Sequence, residues 1–277
     1  MKVKKVLNNN VVIAEDDEYC ESVVIGLGIA FKLKIGEEIP ADKIERVFSS
    51  TQNEEKKQLQ QLVETIPQTY FDIAIEIIEY AQKNLNKKLS NSIYITLTDH
   101  INYIKERVGL GILPKNSLKW EIRQYYPKEY QVSIKIVELL EDEFECKLND
   151  DEVASIALHI INAEIDDVSI RDSMEAIQLI DQIMQIIRYQ GNIINDMEDL
   201  NYQRLITHIR FFVQRILSKK YSLDTNPLYE MVKNSYPQSY AITERIRSFI
   251  EDSLNYSVSD DEVTYLVIHI ERILNRK

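Results

Sequence analysis

An internal repeat limits the folds open to this chain more than anything else in its sequence. Motifs return 110 positions later without a gap: Tyr126-Pro127 returns as Tyr236-Pro237, and Glu141-Asp142 returns as Glu251-Asp252. The longest match joins Asp150-Asp151-Glu152-Val153 and His159-Ile160 to Asp260-Asp261-Glu262-Val263 and His269-Ile270. Such a repeat predicts two copies of one domain, because segments with one pattern adopt one fold. These copies are called the first and the second repeat.

The repeated part of the chain has the periodicity of helices from Gln58 onward. Between positions 92 and 108 the apolar residues lie on one face of a helix: Ile93, Leu97, Ile101, Ile104 and Val108. Residues 70–80 are ambiguous because isoleucines alternate there as in a strand, but the length of the segment favours a buried helix. The 6 glycines and 6 prolines leave little room for loops. The sequence therefore predicts two homologous all-α helical-bundle domains.

The last helix of each repeat has the sequence of a capping box at its start. Asn149 and Ser259 occupy the N-cap positions, and Glu152 and Glu262 follow three residues later. In a capping box the N-cap side chain accepts a hydrogen bond from the N3 backbone, and the N3 glutamate accepts one from the N-cap backbone N–H. We therefore expect both glutamates to cap their own helices.

Residues 2–48 have a different pattern, in which short segments rich in valine and isoleucine alternate with turn formers. The predicted strands are residues 2–6, 11–14, 20–25, 29–33 and 44–48. They predict a small antiparallel β-sheet. Its core would gain from pairing with a second copy, because about 50 residues bury little apolar surface. The polar residues 49–57 are predicted to form a linker.

The protein has four histidines, and each repeat contains two of them. His100 corresponds to His208 at an offset of 108, and His159 corresponds to His269 at the main offset of 110. All four border an apolar helical stripe. Such a histidine is often a packing residue with one satisfied nitrogen. Four at matched positions, with none elsewhere, favour a shared function.

Two functions are open to these imidazoles. They could bind a metal ion, although no HxxxH or HExxH spacing is present, and the adjacent carboxylate Asp99 is replaced by Thr207 in the second repeat. A neutral imidazole at the edge of an apolar groove is also a nucleophile that can accept a phosphoryl group. The adduct would bring roughly one to two negative charges and could open or close an interface.

Charge and composition exclude several classes of protein. The net charge of −12 argues against a protein that coats nucleic acid non-specifically, because such binding depends on many cationic contacts with phosphate. No apolar run is long enough to cross a bilayer and the first residues lack a signal-peptide core, so we expect a cytoplasmic protein without membrane insertion. Cys20 and Cys146 form no CxxC or Cys/His ligand spacing, which predicts neither a disulfide nor a zinc site.

Several motifs, spread over nearly the whole chain, carry a family resemblance. Near the N-terminus they are residues 5–11, 26–31 and 44–48, and around the histidines they are residues 98–102, 157–164, 207–212 and 268–272. The first group resembles the co-antiterminator (CAT) RNA-binding domain of the BglG/SacY/LicT antiterminators, and the second resembles their two phosphotransferase-system (PTS) regulation domains, or PRDs. The resemblance implies an RNA-binding head in residues 1–55, a first PRD in residues 63–170 and a second PRD in residues 171–277.

The resemblance implies that the head dimerises and binds a hairpin in leader mRNA, so that the competing terminator hairpin does not form. The residues that would contact RNA are Lys5, Asn10, Gly26 and Phe31. Their chemistry fits this role, since lysine can meet phosphate, asparagine can read a base edge, glycine permits close backbone approach and phenylalanine can stack on an unpaired base. Leu27 departs from the family pattern, in which many relatives carry arginine or lysine, so the loss of one phosphate or base contact is expected.

The resemblance also assigns roles to the histidines. His100 and His159 would receive an inhibitory phosphoryl group from a sugar-specific enzyme IIB when the sugar is absent, and His208 and His269 would receive an activating one from the phosphocarrier HPr. The protein would be a regulator without a cofactor and not an enzyme, and a β-glucoside is the inducing sugar suggested. Two alternatives stay open: a histidine phosphocarrier, and a PRD-type DNA-binding regulator, for which the strand-like head offers no helix-turn-helix.

Overall fold

A computed structural model describes residues 1–16, 20–48, 53–164, 170–193, 199–218 and 226–275. The strands are β1 (Lys2–Val6), β2 (Val11–Glu15), β3 (Glu21–Ile25) and β4 (Arg46–Phe48). Helix α1 (Asn53–Thr65) follows, and the first repeat contains α2 (Gln68–Leu85), α3 (Ser92–Gly109), α4 (Lys119–Tyr125), α5 (Pro127–Phe144) and α6 (Asp150–Glu164). The second repeat contains α7 (Ile170–Gly191), α8 (Leu200–Leu217), α9 (Tyr229–Ser235), α10 (Pro237–Leu254) and α11 (Asp260–Leu274).

The strands form one antiparallel sheet in the order β1-β2-β3-β4, as predicted for the head. Val12 of the central strand β2 pairs with Val6 of β1 and with Val24 of β3. One face of the sheet covers a compact apolar cluster: Val3, Val12, Ala14, Val24, Ile29, Ala30 and Ile39. The alternation of side chains along each strand fixes which residues enter this cluster.

The opposite face of the sheet is covered by helices of the same chain. Val11, Val23, Ile25 and Phe48 lie on this face and are fully buried, and β3 contacts α1. Arg46 donates a hydrogen bond from Nη2 to Oε1 of Gln82 in α2, at 2.8 Å. The head therefore buries both faces of its small sheet, one against its own loops and one against helical residues that follow it.

The strand predicted at residues 29–33 is wrong, because this segment consists of consecutive turns. The Ile29 backbone N–H donates to the Gly26 carbonyl and the Phe31 N–H donates to the Gly28 carbonyl, each at an N···O distance of 3.0 Å. Each acceptor lies three residues before its donor. Gly28 has a φ of +61°, which belongs to a turn and not to a strand. Ile29, Ala30 and Leu33 face the core beneath the sheet without forming a strand.

The linker predicted at residues 49–57 is partly wrong. Residues 49–52 lie outside the described part of the chain, but residues 53–57 form the beginning of α1. Glutamate, lysine and glutamine are good helix formers, so polarity alone did not indicate an irregular segment. Leu59 is fully buried, and α1 packs against α3.

The helical predictions for the repeats are confirmed. Residues 70–80 lie within α2 and residues 92–108 within α3. The predicted buried face of α3 is correct except at its end, where Val108 is half-buried and Arg107 is buried instead. Arg107 is buried because its guanidinium binds the carboxylate of Glu152 in α6.

The helices of the two repeats agree in length and in packing, which confirms two homologous helical domains after the sheet. Helices α3 and α8 have 18 residues each, as do α5 and α10, and α6 and α11 have 15 each. Helix α6 packs against α3 and α5, and α11 packs against α8, α9 and α10.

By their contacts the residues group into two compact units, Met1–Lys119 with Tyr126–Ile170 and Trp120–Tyr125 with Arg171–Lys277. None of the helices in the described ranges is both long enough and apolar enough to span a bilayer.

Candidate functional site

The packing of the repeats brings the four histidines together in two pairs. In the first repeat α3 faces α6, and the ring centroids of His100 and His159 are 4.7 Å apart. In the second repeat α8 faces α11, and the rings of His208 and His269 stack with centroids 3.6 Å apart. These are called the first pair and the second pair. Each predicted phosphorylation site thus lies beside its partner from the facing helix.

Glu152 of α6 fixes the geometry of the first pair. Its Oε1 accepts a hydrogen bond from Nε2 of His100 at 2.5 Å, and its Oε2 accepts one from Nη2 of Arg107 at 2.6 Å. Burial alone would raise the pKa of Glu152, but the hydrogen bond from His100 and the Arg107 guanidinium outweigh it, and the pKa lies below its usual range. An ionised carboxylate only accepts hydrogen bonds, so Nε2 of His100 carries the proton in this contact.

These contacts correct the capping-box prediction. Its first half is confirmed, since the side chains of Asn149 and Ser259 accept hydrogen bonds from the backbone N–H of Glu152 and Glu262, at 3.2 and 3.3 Å. Its second half is wrong, because both glutamates point across to the facing helix and bind cationic or imidazole groups there. The tertiary partners of a charged side chain outweighed a local backbone contact.

The second pair has a different arrangement around the corresponding glutamate. Oε1 of Glu262 accepts a hydrogen bond from Nε of Arg215 at 2.8 Å, and its buried Oε2 has no partner among the described residues. Burial raises the pKa of Glu262, and Arg215 offsets this only in part. The Arg215 side chain is 44% exposed, compared with 6% for Arg107. The second pair is therefore not tied to a carboxylate as the first pair is.

Burial keeps the imidazoles of α6 and α11 neutral near pH 7. It lowers the pKa of His159 to about 3, with a smaller contribution from His100, and it lowers the pKa of His269 to about 4, together with the positive charges nearby. The pKa of His208 is also lowered, mainly by burial. A neutral imidazole keeps a nitrogen lone pair, which is the group that attacks phosphorus or binds a metal ion.

An open cleft lies beside His159, between α1 and α3. It has a volume of about 450 Å³, and its lining includes Gln58, Leu62, Thr96 and Asp99. Nδ1 of His159 and Oγ1 of Thr96 are buried without a hydrogen-bond partner in the described structure. Within those same ranges, no group of three or more histidine, cysteine, aspartate or glutamate side chains is placed to hold a metal ion.

Sequence reasoning missed the charged partners of the histidine pairs: Arg107, Glu152, Arg215 and Glu262. A signal for them was present, because Arg107 and Arg215 are separated by 108 positions and Glu152 and Glu262 by 110, the same offsets as the histidines on their helices. The offsets mark all four residues as recurring charges, but the pairing of arginine with glutamate follows only from the packing of the helices.

In the head, Asn10 is a structural centre of the loop region. It is 3% exposed, its Oδ1 accepts a hydrogen bond from the Gly28 N–H at 2.5 Å, and its carbonyl accepts one from the Gly26 N–H at 3.0 Å. Its Nδ2 donates to Oδ1 of Asp72 in α2, also at 2.5 Å. Every polar group of this side chain is thus engaged within the chain.

The other head residues with predicted RNA contacts, and Leu27 where a contact is expected to be lost, differ widely in exposure. Phe31 and Leu27 lie in the turns after β3, and their side chains are exposed to 62% and 49%. Lys5 is exposed on β1, opposite Ile13. Gly26 is buried, and a Cβ atom there would lie 1.8 Å from the Lys43 carbonyl oxygen, so this position admits only glycine in the present packing.

Comparison with known families identifies three regions in the chain. Residues 1–57 match the CAT RNA binding domain, and residues 75–163 and 181–273 each match the PRD domain. The order, one RNA-binding domain followed by two PRD domains, agrees with the sheet followed by two helical repeats.

Two relatives match this chain along almost their whole length and its own. The chain is 34% identical over 277 residues to the transcription antiterminator LicT of Bacillus subtilis (strain 168), covering 100% of both proteins. It is 34% identical over 275 residues to the beta-glucoside operon antiterminator of Dickeya chrysanthemi, covering 99% of this chain and 96% of the relative. The crystal structure of GlcT CAT-PRDI matches 60% of this chain and 98% of its own, with a TM-score of 0.54 and 34% identity.

Proposed function

Because this chain belongs to the family of transcription antiterminators that join a CAT RNA-binding domain to two PRD domains, we propose that it binds a leader mRNA hairpin as a homodimer and prevents the terminator from forming. The observation that carries the proposal is the match over the full chain to proteins named as antiterminators, with both domain types in the same order. The working parts are an RNA-binding head in residues 1–55 and PRDs in residues 63–170 and 171–277.

We further propose that phosphorylation of the histidines controls this activity. The first pair would take an inhibitory phosphoryl group from a sugar-specific enzyme IIB, and the second pair an activating one from HPr. Support comes from the imidazoles of His159, His208 and His269, whose lowered pKa values leave nitrogen lone pairs available at pH 7. The protein would act in the cytoplasm as a regulator without catalytic activity, and a β-glucoside would be the inducing sugar, as the name of one relative suggests.

The head provides a direct test of RNA binding. Phe31→Ala should weaken binding of the full chain to the leader hairpin by about tenfold or more, because a base stacked on an aromatic ring is worth about 1–3 kcal/mol. Ile35→Ala is the matched control, since Ile35 is 72% exposed in the same head and has no predicted RNA contact. Affinity is measured by gel shift or calorimetric titration. Equal affinities of wild type, Phe31→Ala and Ile35→Ala would reject this RNA-binding site.

Phe31 is a better probe than Asn10 or Gly26. Replacement of Asn10 removes the acceptor of the Gly28 N–H, and any side chain at position 26 meets the Lys43 backbone. Both changes would disturb the fold of the head along with any RNA contact. The Phe31 ring is mostly exposed, so its loss leaves the core unchanged.

Labelled phosphoryl transfer separates a regulator from a phosphocarrier. After incubation with labelled phosphorylated HPr, a regulator retains the label on its histidines. A phosphocarrier passes the label onward when an acceptor enzyme IIB is added. Retention on His208 and His269 agrees with the proposal, and rapid onward transfer would contradict it.

A further inference from the structure

The two histidine pairs lie between corresponding helices but differ in the charges that surround them. When α3 is compared with α8 at the offset of 108, Arg204 stands where the first repeat has Thr96, and Thr207 stands where it has Asp99. When α6 is compared with α11 at the offset of 110, Arg272 stands where the first repeat has Asn162. At these three positions the second repeat therefore has two more positive charges and one fewer negative charge than the first.

The added arginines lie where they can reach the second pair. Arg204 precedes His208 by four residues on α8, and Arg272 follows His269 by three residues on α11, and both spacings place two side chains on one face of a helix. Arg204 and Arg272 both act on His269, and Arg272 also acts on His208, as their contributions to the lowered pKa values of these imidazoles indicate. In the described structure neither guanidinium forms an ion pair, and both side chains are exposed.

The remaining charges near the second pair are engaged elsewhere. Arg215 of α8 and Glu262 of α11 bind each other. Glu271 of α11 accepts a hydrogen bond from Ser239 of α10. From the other helices that pack on α11, Arg247 of α10 is paired with Asp260, and Lys233 of α9 lies over the rings of Tyr229 and Tyr240. Arg210 of α8 is engaged by another interaction, so Arg204 and Arg272 are the cations of α8 and α11, among the described residues, that are left to meet a new anion.

The first pair has the opposite surroundings. Its guanidinium, Arg107, is already bound to the ionised Glu152, which also holds His100. Asp99 adds an exposed carboxylate next to His100 and lines the cleft beside His159. A phosphoryl group on either imidazole would approach two carboxylates, with no unpaired guanidinium on α3 or α6 to bind it.

We propose that His208, His269, Arg204 and Arg272 form an oxyanion site that binds the oxygens of a phosphoryl group carried by either imidazole of the second pair. This inference rests on the proposed function and explains its two opposite signals by local charge. A phosphoryl group in the second pair draws α8 and α11 together through the arginines. In the first pair the same group repels Glu152 and Asp99 and loosens the contact between α3 and α6.

The test uses a chemical donor, so that it does not depend on HPr, on enzyme IIB or on RNA. An unprotonated imidazole nitrogen attacks the phosphorus of phosphoramidate. The new N–P bond forms as the donor's N–P bond breaks, ammonia leaves, and the phosphoimidazolium loses its extra proton to water. In the full chain, His100→Gln/His159→Gln confines the phosphoryl group to the second pair, and His208→Gln/His269→Gln confines it to the first.

The readout is the second pKa of the bound phosphoryl group, followed by ³¹P NMR as the pH is raised. Neighbouring cations lower this pKa and neighbouring carboxylates raise it. We expect the value in the second pair to lie at least about one unit below that in the first, a tenfold difference in the proton-binding constant. Arg204→Gln/Arg272→Gln should remove most of this difference. Arg245→Gln, at an exposed position of α10, should leave it unchanged.

A reverse substitution tests whether the residues of the second repeat are sufficient to lower the phosphoryl pKa in the first. Thr96→Arg/Asp99→Thr gives the first repeat the residues of α8, and the open cleft beside Thr96 has room for the longer side chain. We expect the phosphoryl pKa in the first pair to fall by about one unit. The proposal is overturned if Arg204→Gln/Arg272→Gln leaves the pKa in the second pair unchanged, or if the second pair takes up no phosphoryl group. Failure of leader-RNA binding, in contrast, would reject the proposed function and leave this result intact.

Discussion

At the scale of single residues, Glu152 and Glu262 show how one sequence motif can serve two different environments. Glu152 is 0% exposed and binds Arg107, whose side chain is 6% exposed, whereas Arg215, the partner of Glu262, is 44% exposed. Removal of one partner of a buried ion pair leaves the other charge uncompensated, and the loss is much smaller where water can solvate that charge.

We therefore predict unequal losses from the same substitution. Glu152→Gln should lower the free energy of unfolding by about 3 kcal/mol, because Arg107 stays buried without its carboxylate. Glu262→Gln should lower it by about 1 kcal/mol or less, because Arg215 is partly solvated. Urea unfolding at pH 7 measures both, and each variant is the control for the other. Equal losses would show that the ion pair in the first repeat is not stabilising in the way its burial indicates.

The buried imidazoles make a second prediction, on pH. Histidine in the unfolded chain titrates near its ordinary pKa of 6.5, whereas His159 titrates at about 3 in the folded chain. Between these values the unfolded state binds more protons, so stability falls as the pH is lowered, by up to about 1.4 kcal/mol per pH unit for each such group. When the pH is lowered from 6 to 5, the free energy of unfolding should therefore fall by about 1 kcal/mol less in His159→Gln than in the wild type.

Urea unfolding of wild type and His159→Gln at pH 5, 6, 7 and 8 measures this difference. Other titrating groups, such as Glu45 with its pKa raised by burial to about 7, are present in both proteins and cancel in the comparison. Parallel pH profiles for the two proteins would mean that His159 is protonated as readily in the folded chain as in the unfolded one.

The histidines could be predicted from the sequence, but their neighbours were assigned wrongly. Four histidines at repeat offsets stand out without any knowledge of the fold. Glu152 was assigned to a capping box because the local pattern is complete, and a local pattern contains no information on α3, which supplies His100 and Arg107. Contacts between residues about 50 positions apart follow from packing, which periodicity along a single helix does not specify.

At the scale of elements, the joining of the head to α2 is the feature with the clearest functional consequence. Nδ2 of Asn10 donates to Oδ1 of Asp72, whose pKa is raised by burial. If Asn10 reads a base edge, as the family resemblance implies, Asp72 occupies one of the two N–H groups that its amide can offer to RNA. The helix therefore competes with RNA for the same hydrogen-bond donor.

Asp72→Ala should accordingly strengthen binding of the leader hairpin by about fivefold, since a hydrogen bond to a polar partner contributes about 1 kcal/mol net. Glu76→Ala is the matched control, because it removes a carboxylate from an exposed position of the same helix. Titration of the full chain with leader RNA gives both affinities. An equal gain in the two variants would assign the effect to net charge, and no gain in either would mean that the Asn10 contact does not oppose RNA binding.

The elements themselves were predictable where one physical signal dominated. Strands β1, β2 and β3 follow from β-branched residues between turn formers, and α3 follows from its apolar stripe. Residues 29–33 have the composition of a strand but fold as turns, because the backbone N–H groups of Ile29, Phe31 and Leu33 bond to carbonyls three residues back. Helix α1 begins within a polar segment, where composition allows a helix but does not require one.

At the scale of the whole molecule, the repeat predicted the number and type of helical domains, but it could not predict what covers the sheet. A head of about 50 residues was expected to gain from pairing its core with a second copy. The side chains of Val11, Val23, Ile25 and Phe48 are already buried, and β3 contacts α1. The apolar pattern of a strand predicts that one face is buried, but it does not predict which part of the chain or which second copy covers that face.

The proposed control by two opposed signals makes a prediction for the whole molecule. His100→Gln/His159→Gln removes the inhibitory site, so antitermination should proceed without the inducing sugar. His208→Gln/His269→Gln removes the activating site, so antitermination should stay low even when the sugar is transported. Glutamine keeps a polar side chain of similar size at positions where burial matters, and it cannot carry the phosphoryl group in the way that imidazole does.

A reporter gene placed behind the leader terminator measures all of these states, with and without the sugar. The variant with all four histidines replaced by glutamine should give one level of antitermination in both conditions, because nothing is left to report the transport state. Thermal unfolding of each variant verifies that the helices are intact. If the fourfold variant still distinguishes the two conditions as the wild type does, the signal enters through other residues and the pairs between facing helices serve only to pack them.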